Sequence, residues 1–227
     1  MSAVKLAGAA ALLTVLHAST AGAGGRLVCP GWQRTTYPVQ HPYSGGVAAH
    51  WTLLAAMPNA IDLLILGNSH AAGWPDDLWK PLRTFNAGVG GDLIENLLWR
   101  LRAPEWRKIA PRNVLVTIGS NNLARGDCSF AVVEGVAAVF RQVRELWPEA
   151  QVFFVGIPPR GLAGSLRATE RAAINTTLRF SAAAANVKKV DPDAALGCRG
   201  CYETDQKVHI SSEGYVALTS AIKPFVK

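Results

Sequence analysis

Four short stretches of the chain hold residues able to work on an acyl group. They are Gly67-Asn68-Ser69-His70, the run NAGVGGD from Asn86 to Asp92, GSNN from Gly119 to Asn122, and a late segment with Asp205 and His209. Acyl transfer through a serine needs a hydroxyl, a base to take its proton, a carboxylate to orient that base, and donors for the oxyanion that develops. Ser69 is then the nucleophile, His209 the base and Asp205 the nearest carboxylate. The backbone amides at Gly90-Gly91 and the side-chain amide of Asn121 are donors of the required kind. Each has a plainer reading as well. Gly, Asn and Ser are ordinary turn residues, Gly90-Gly91 can be a tight turn with Asp92 as the N-cap of a helix, and Asn121 can be a turn amide. His41, His50 and His70 are weaker candidates for the base, since none sits at a late strand end.

Such groups react only if a scaffold brings them together. Apolar runs at 61–67, 113–119 and 151–157, with weaker ones at 83–86 and 186–191, read as strands. Between them lie stretches of helical periodicity. The clearest spans about 129–147, where Val132, Val133, Val136, Val139, Phe140, Val143 and Leu146 recur at one-face spacing before Pro148 ends the pattern. Others fall near 92–102, 165–184 and 211–226, with one near 47–57 in a lead-in of residues 24–60. Strands apolar throughout, alternating with helices, predict a parallel sheet covered on both faces: a three-layer α/β/α sandwich. In such a sheet sites gather at the carboxyl ends of the strands. Every strand-end loop except GIPPRG, residues 156–161, offers a hydroxyl, an imidazole, an amide or glycine-flanked backbone.

The 227 residues fit one domain with a core of its own. Lys5, the apolar run from Leu6 to Ala18 and the small residues Ala21-Gly22-Ala23 have the layout of a secretory signal peptide over 1–23, too short for a membrane span. The mature chain is expected to be secreted, with no stable insertion in a membrane. A formal charge of +7 does not by itself indicate nucleic acid, and no nucleic-acid motif accompanies it. The densest basic stretch, Trp99 to Lys108, reads as a solvated helix face and the turn after it. Cys29, Cys128, Cys198 and Cys201 allow three disulfide pairings; CRGC at 198–201 has metal or redox spacing but no second pair, which favours a structural disulfide.

The four blocks together resemble the SGNH, or GDSL-like, hydrolases, named for Ser, Gly, Asn and His: Ser69 in LGNSH, Gly91 in NAGVGGD, Asn121 in GSNN and His209 in VHISSEGY. NAGVGGDLIENLLWRL, APRNVLVTIGSNN and GIPPRG are similar to the catalytic subunits of platelet-activating-factor acetylhydrolases. The resemblance implies a flavodoxin-like fold, no metal or cofactor, and an oxyanion hole made of the Ser69 amide, the Gly91 amide and the Asn121 side chain. Asn68 and Asn122 stand where the family has or often has Asp. The family's acid lies three residues before the histidine, a slot held here by Gln206. Trp74 and Trp79 are candidates to line the pocket, with buried packing an equal alternative. The expected activity is a serine ester hydrolase for small acyl groups, acetyl esters of a carbohydrate or lipid. An O-acyltransferase and a non-catalytic carbohydrate- or partner-binding module are the alternatives.

Overall fold

The computed structural model describes residues 29–204 and 206–227; the signal peptide expected over 1–23 lies outside them. Among the described residues five strands form one parallel sheet in the order β2-β1-β3-β4-β5. They are β1 (Leu63–Gly67), β2 (Thr84–Gly88), β3 (Asn113–Thr117), β4 (Gln151–Val155) and β5 (Val187–Val190). The sequence places all five. Because each side chain along a strand faces opposite to the last, β1 sends Leu64 and Leu66 to one core and Leu63 and Ile65 to the other. Burial on both faces is why the inner strands β1, β3 and β4 are apolar through their centres without alternation, whereas the edge strands β2 and β5 are only partly buried and carry polar side chains.

Helices α1 (Ser44–Ala55), α3 (Ile94–Arg100), α5 (Ser129–Leu146) and α6 (Ala168–Ala184) cover the first face. On α5, Val132, Val136, Val139, Phe140 and Val143 are wholly buried, each contributing roughly 1.5–3 kcal/mol of burial. Phe140 meets Phe154 of β4 edge-on at 5.1 Å. The second face carries α2 (Ser69–Ala72), the stretch after α7 (Pro192–Ala195) and α8 (Ser212–Ile222), with Trp74 and Trp79 packed among them. The remaining helix, α4 (Ser120–Arg125), follows β3. The short α2, α4 and α7 go unseen in the sequence, since one or two turns leave no periodicity to read.

The lead-in packs onto the first layer. Cys29 is bonded to Cys128 just before α5, Thr35 Oγ1 donates to the Ala131 carbonyl at 2.7 Å, and Val39 N donates to Glu95 O at 3.0 Å. The other disulfide joins Cys198 and Cys201. At the amino-terminal edge of the sheet, Asn113 on β3 exchanges two hydrogen bonds with the backbone of Lys227, at 2.8 and 3.1 Å. No helix among the described residues is long and apolar enough to cross a membrane.

Candidate active site

In-register parallel pairing aligns Gly67 with Gly88 and Thr117, so the chain leaves β1, β2 and β3 along a common edge. Ser69 opens α2 directly after β1. A turn this abrupt requires Gly67, whose φ is +144° and whose added Cβ would lie 1.9 Å from the Thr117 carbonyl oxygen. Asn68 caps α2: its Oδ1 accepts from His70 N at 3.0 Å, while its Nδ2 donates to Ser120 Oγ at 2.9 Å. With asparagine the amide donates and the Ser120 hydroxyl accepts; an aspartate would reverse the bond, the hydroxyl donating to the carboxylate.

Gly91 lies in the turn after β2 with φ +82°, a left-handed conformation that side chains resist. Beside it is His41 from the lead-in, with Nε2 3.5 Å from where a Cβ on Gly91 would stand. Asp92 is not the N-cap of α3; Leu93 holds that position, its amide donating to Asn96 Oδ1 at 2.9 Å. Asp92 instead turns inward to a buried pair with Arg100, whose Nη2 lies 2.7 Å from Oδ2. Arg100 also donates to the carbonyls of Ala87 at 2.9 Å and Gly67 at 3.2 Å, joining the ends of β1 and β2. The basic stretch from Trp99 is therefore not simply a solvated face: Arg102, Arg107 and Lys108 are exposed, but Arg100 is 0% exposed. Burial pushes the Asp92 carboxyl above its ordinary value despite Arg100.

Asn121 is the second residue of α4, and its Nδ2 donates to the Asp92 carbonyl at 3.0 Å. The next residue, Asn122, accepts from Ile94 N at 2.9 Å and donates to Glu95 at 2.9 Å and Asp127 at 3.0 Å. Arg125 bridges the same two carboxylates, and Arg34 of the lead-in reaches Asp127 at 3.0 Å. Burial alone would raise the Asp127 carboxyl, but the hydrogen bonds from Arg125 and Asn122 outweigh it and hold that carboxyl low.

The histidine loop reaches the serine block through His70. Its Nε2 donates to the Val208 carbonyl at 2.9 Å, one residue before His209, and its own carbonyl accepts from Tyr215 Oη at 3.0 Å. Burial lowers the His70 pKa to about 4, so the ring is neutral and keeps the hydrogen it donates. The loop closes where Tyr202 pairs with Ile210 and Ser211 N donates to Cys201 O, with the Cys198–Cys201 disulfide at its foot. Glu203 Oε2 lies 3.6 Å from His209 Nδ1, an ion-pair distance too long for a hydrogen bond, with both side chains more than half exposed. Asp205 lies outside the described residues.

The bonds thus join all four blocks at one edge of the sheet: Ser69 and Asn121 through Asn68 and Ser120, Gly91 through Asp92, and His209 through His70. The GDSL-like Lipase/Acylhydrolase family matches this same span, residues 63–217. The chain belongs to that family. The human platelet-activating factor acetylhydrolase IB subunit alpha2 is 27% identical over 155 residues, 66% of this chain and 67% of that one. The bovine alpha1 subunit is 30% identical over 154 residues, 64% of each chain. Among solved structures, a GDSL-like lipase from Bacteroides thetaiotaomicron superposes with a TM-score of 0.67 at 17% identity, covering 80% of this chain and 97% of that one. A lipase/acylhydrolase from Enterococcus faecalis gives 0.58 at 23% identity, covering 71% and 93%. These likenesses bear on the fold.

Several residues around the site carry no motif signal. Arg100, His70 and Glu203 meet the blocks only through the folded chain, and since α3 also buries Glu95 and Asn96, the inward charge of Arg100 does not stand out in the sequence. Trp74 and Trp79 do not line the site; they are core residues, 2% and 0% exposed, with Trp74 Nε1 donating to Thr219. His50 is buried against Trp51 and Trp99.

Proposed function

We propose that this hydrolase is a secreted serine esterase that removes small acyl groups, acetyl above all, from a carbohydrate or lipid through an acyl-enzyme. The observation that carries this reading is the interlocking of the Ser69, Gly91, Asn121 and His209 blocks at one sheet edge. Ser69 attacks the ester carbonyl and passes its proton to His209. The Ser69 and Gly91 amides and the Asn121 side chain receive the oxyanion. His209 then gives the proton to the leaving alcohol and activates the water that frees the acid. Asp205 is the carboxylate assigned to orient His209, with Glu203 the competing group. The acetylhydrolase relatives support the acetyl preference, and the two disulfides and the leader-like segment support secretion.

A series of nitrophenyl esters from acetyl to octanoyl, with and without an acceptor sugar, tests the reading. The acetyl ester is expected to be cleaved fastest, with acid rather than acylated sugar as product, and Ser69→Ala to abolish turnover without unfolding. Transfer to the sugar would reassign the protein as an acyltransferase. Activity near wild type in Ser69→Ala, or no labelling of Ser69 by an organophosphate, would remove the serine mechanism.

A further inference from the structure

The loop after β4, GIPPRG, is the one strand-end loop in which the sequence offers no evident chemistry. In the fold it reaches the oxyanion hole. Arg160 Nη1 donates to Asn121 Oδ1 at 3.1 Å, while Asn121 Nδ2 donates to the Asp92 carbonyl at 3.0 Å. Guanidinium only donates and a carbonyl oxygen only accepts, so the two bonds admit one orientation of the amide: oxygen toward Arg160, nitrogen toward Asp92. One Nδ2 hydrogen remains, held in the amide plane, and it is the one an oxyanion would use.

We propose that Arg160 is a positioning residue for the oxyanion hole, setting the orientation of the Asn121 amide and drawing electron density toward its oxygen so that the remaining N–H is a stronger donor. The inference rests on Asn121 being an oxyanion donor, as argued above. A cation on the carbonyl end polarises the whole amide, and a half-buried site screens that effect less than water does. The loop is also held firmly enough to deliver such an effect. Leu166 N donates to the Arg160 carbonyl at 2.9 Å, and Gly161 N donates to Gln206 O in the histidine loop at 2.7 Å. Arg167, a few residues on, donates to the carbonyls of Leu123 on α4 and Asp127 after it, at 2.9 and 2.8 Å. The same loop therefore spans from the helix carrying Asn121 to the segment carrying His209.

A double-mutant cycle on 4-nitrophenyl acetate hydrolysis tests this, using Asn121→Ala, Arg160→Met and the pair, with Arg160→Lys as the conservative variant. Asn121→Ala is expected to lower kcat by roughly 100-fold or more, the order seen for loss of one oxyanion donor. Arg160→Met is expected to lower kcat about 10-fold with KM nearly unchanged, as misplacement of a donor costs less than its removal. In the Asn121→Ala background the same change should cost less than about 2-fold, because the group it acts through is gone. Arg160→Lys, which can still donate once and keeps the charge, should recover part of the loss; the cycle is run on it if Arg160→Met does not fold. A cost of Arg160→Met that is fully additive with Asn121→Ala, or that falls on KM alone, overturns the proposal while leaving the oxyanion assignment standing. A wild-type rate in Asn121→Ala overturns both.

Discussion

Asn122 stands between two buried carboxylates, Glu95 and Asp127, and hydrogen-bonds both with one amide nitrogen. Aspartate at this position would bring a third negative charge against them and lose both bonds. Asn122→Asp is therefore expected to destabilise the fold by about 2–4 kcal/mol, read as a lower urea midpoint. The orienting carboxylate of His209 invites a sharper comparison. Glu203 is within 3.6 Å of Nδ1 but more than half exposed, so water screens the pair and its removal should matter little. Asp205→Asn is expected to lower kcat by at least about 100-fold and Glu203→Gln by less than 3-fold, since loss of the orienting acid of a triad costs several powers of ten. The opposite ranking in steady-state rates would transfer the role to Glu203. At this scale the sequence singles out Ser69, Gly91, Asn121 and His209 as candidates because each sits in a motif with its own neighbours. Arg160 and Glu203 escape it because their partners, Asn121 and His209, are reached through loop conformation, which no spacing rule encodes.

Between elements, the tether from α2 to the histidine loop runs through a buried neutral imidazole. With His70 lowered from its ordinary value near 6.5 to about 4, the unfolded chain binds more protons than the folded one between those pH values. The stability this contributes is fully present above pH 6.5 and is lost as pH falls toward 4. Burial lowers His50 to about 4 as well, so the two act in the same direction. Urea unfolding at a series of pH values should show stability level near neutrality and falling below pH 6. His70→Gln, whose amide can still donate to Val208, should reduce that slope by about 1.4 kcal/mol per pH unit, one proton's worth; an unchanged slope would mean His70 is not the group that titrates. Arg100 ties β1, β2 and Asp92 from below. Arg100→Met leaves Asp92 buried without its partner and should cost about 3–5 kcal/mol, whereas Asp92→Leu combined with Arg100→Met should restore much of it.

Across the whole molecule, the two disulfides do different work. Cys29–Cys128 closes a loop with a sequence separation of 99, and on a chain-entropy account its loss as a double serine variant should cost ~4–5 kcal/mol. Cys198–Cys201 has a separation of 3 and should cost ~2 kcal/mol, while loosening the foot of the histidine loop and lowering kcat. Denaturant midpoints set beside turnover numbers separate the two. The sandwich itself is legible in the sequence, since the three inner strands β1, β3 and β4, buried on both faces, leave continuous apolar runs and α5 leaves a clear amphipathic stripe, while the part-buried edge strands β2 and β5 leave only weak ones. The packing of the lead-in is less so: Arg34 and Val39 bind it through isolated polar contacts with Asp127 and Glu95, which leave no period to read.

Lys227 is bonded to Asn113 at the start of β3, whereas Ser69 and Asn121 follow the far ends of β1 and β3. Among the described residues all strands run the same way, so the sheet has a front and a back, and Lys227 sits at the back. A bead or a sensor surface attached through Lys227 would leave the proposed site facing the solution, and the immobilised hydrolase should keep its apparent affinity for a bulky acylated polymer.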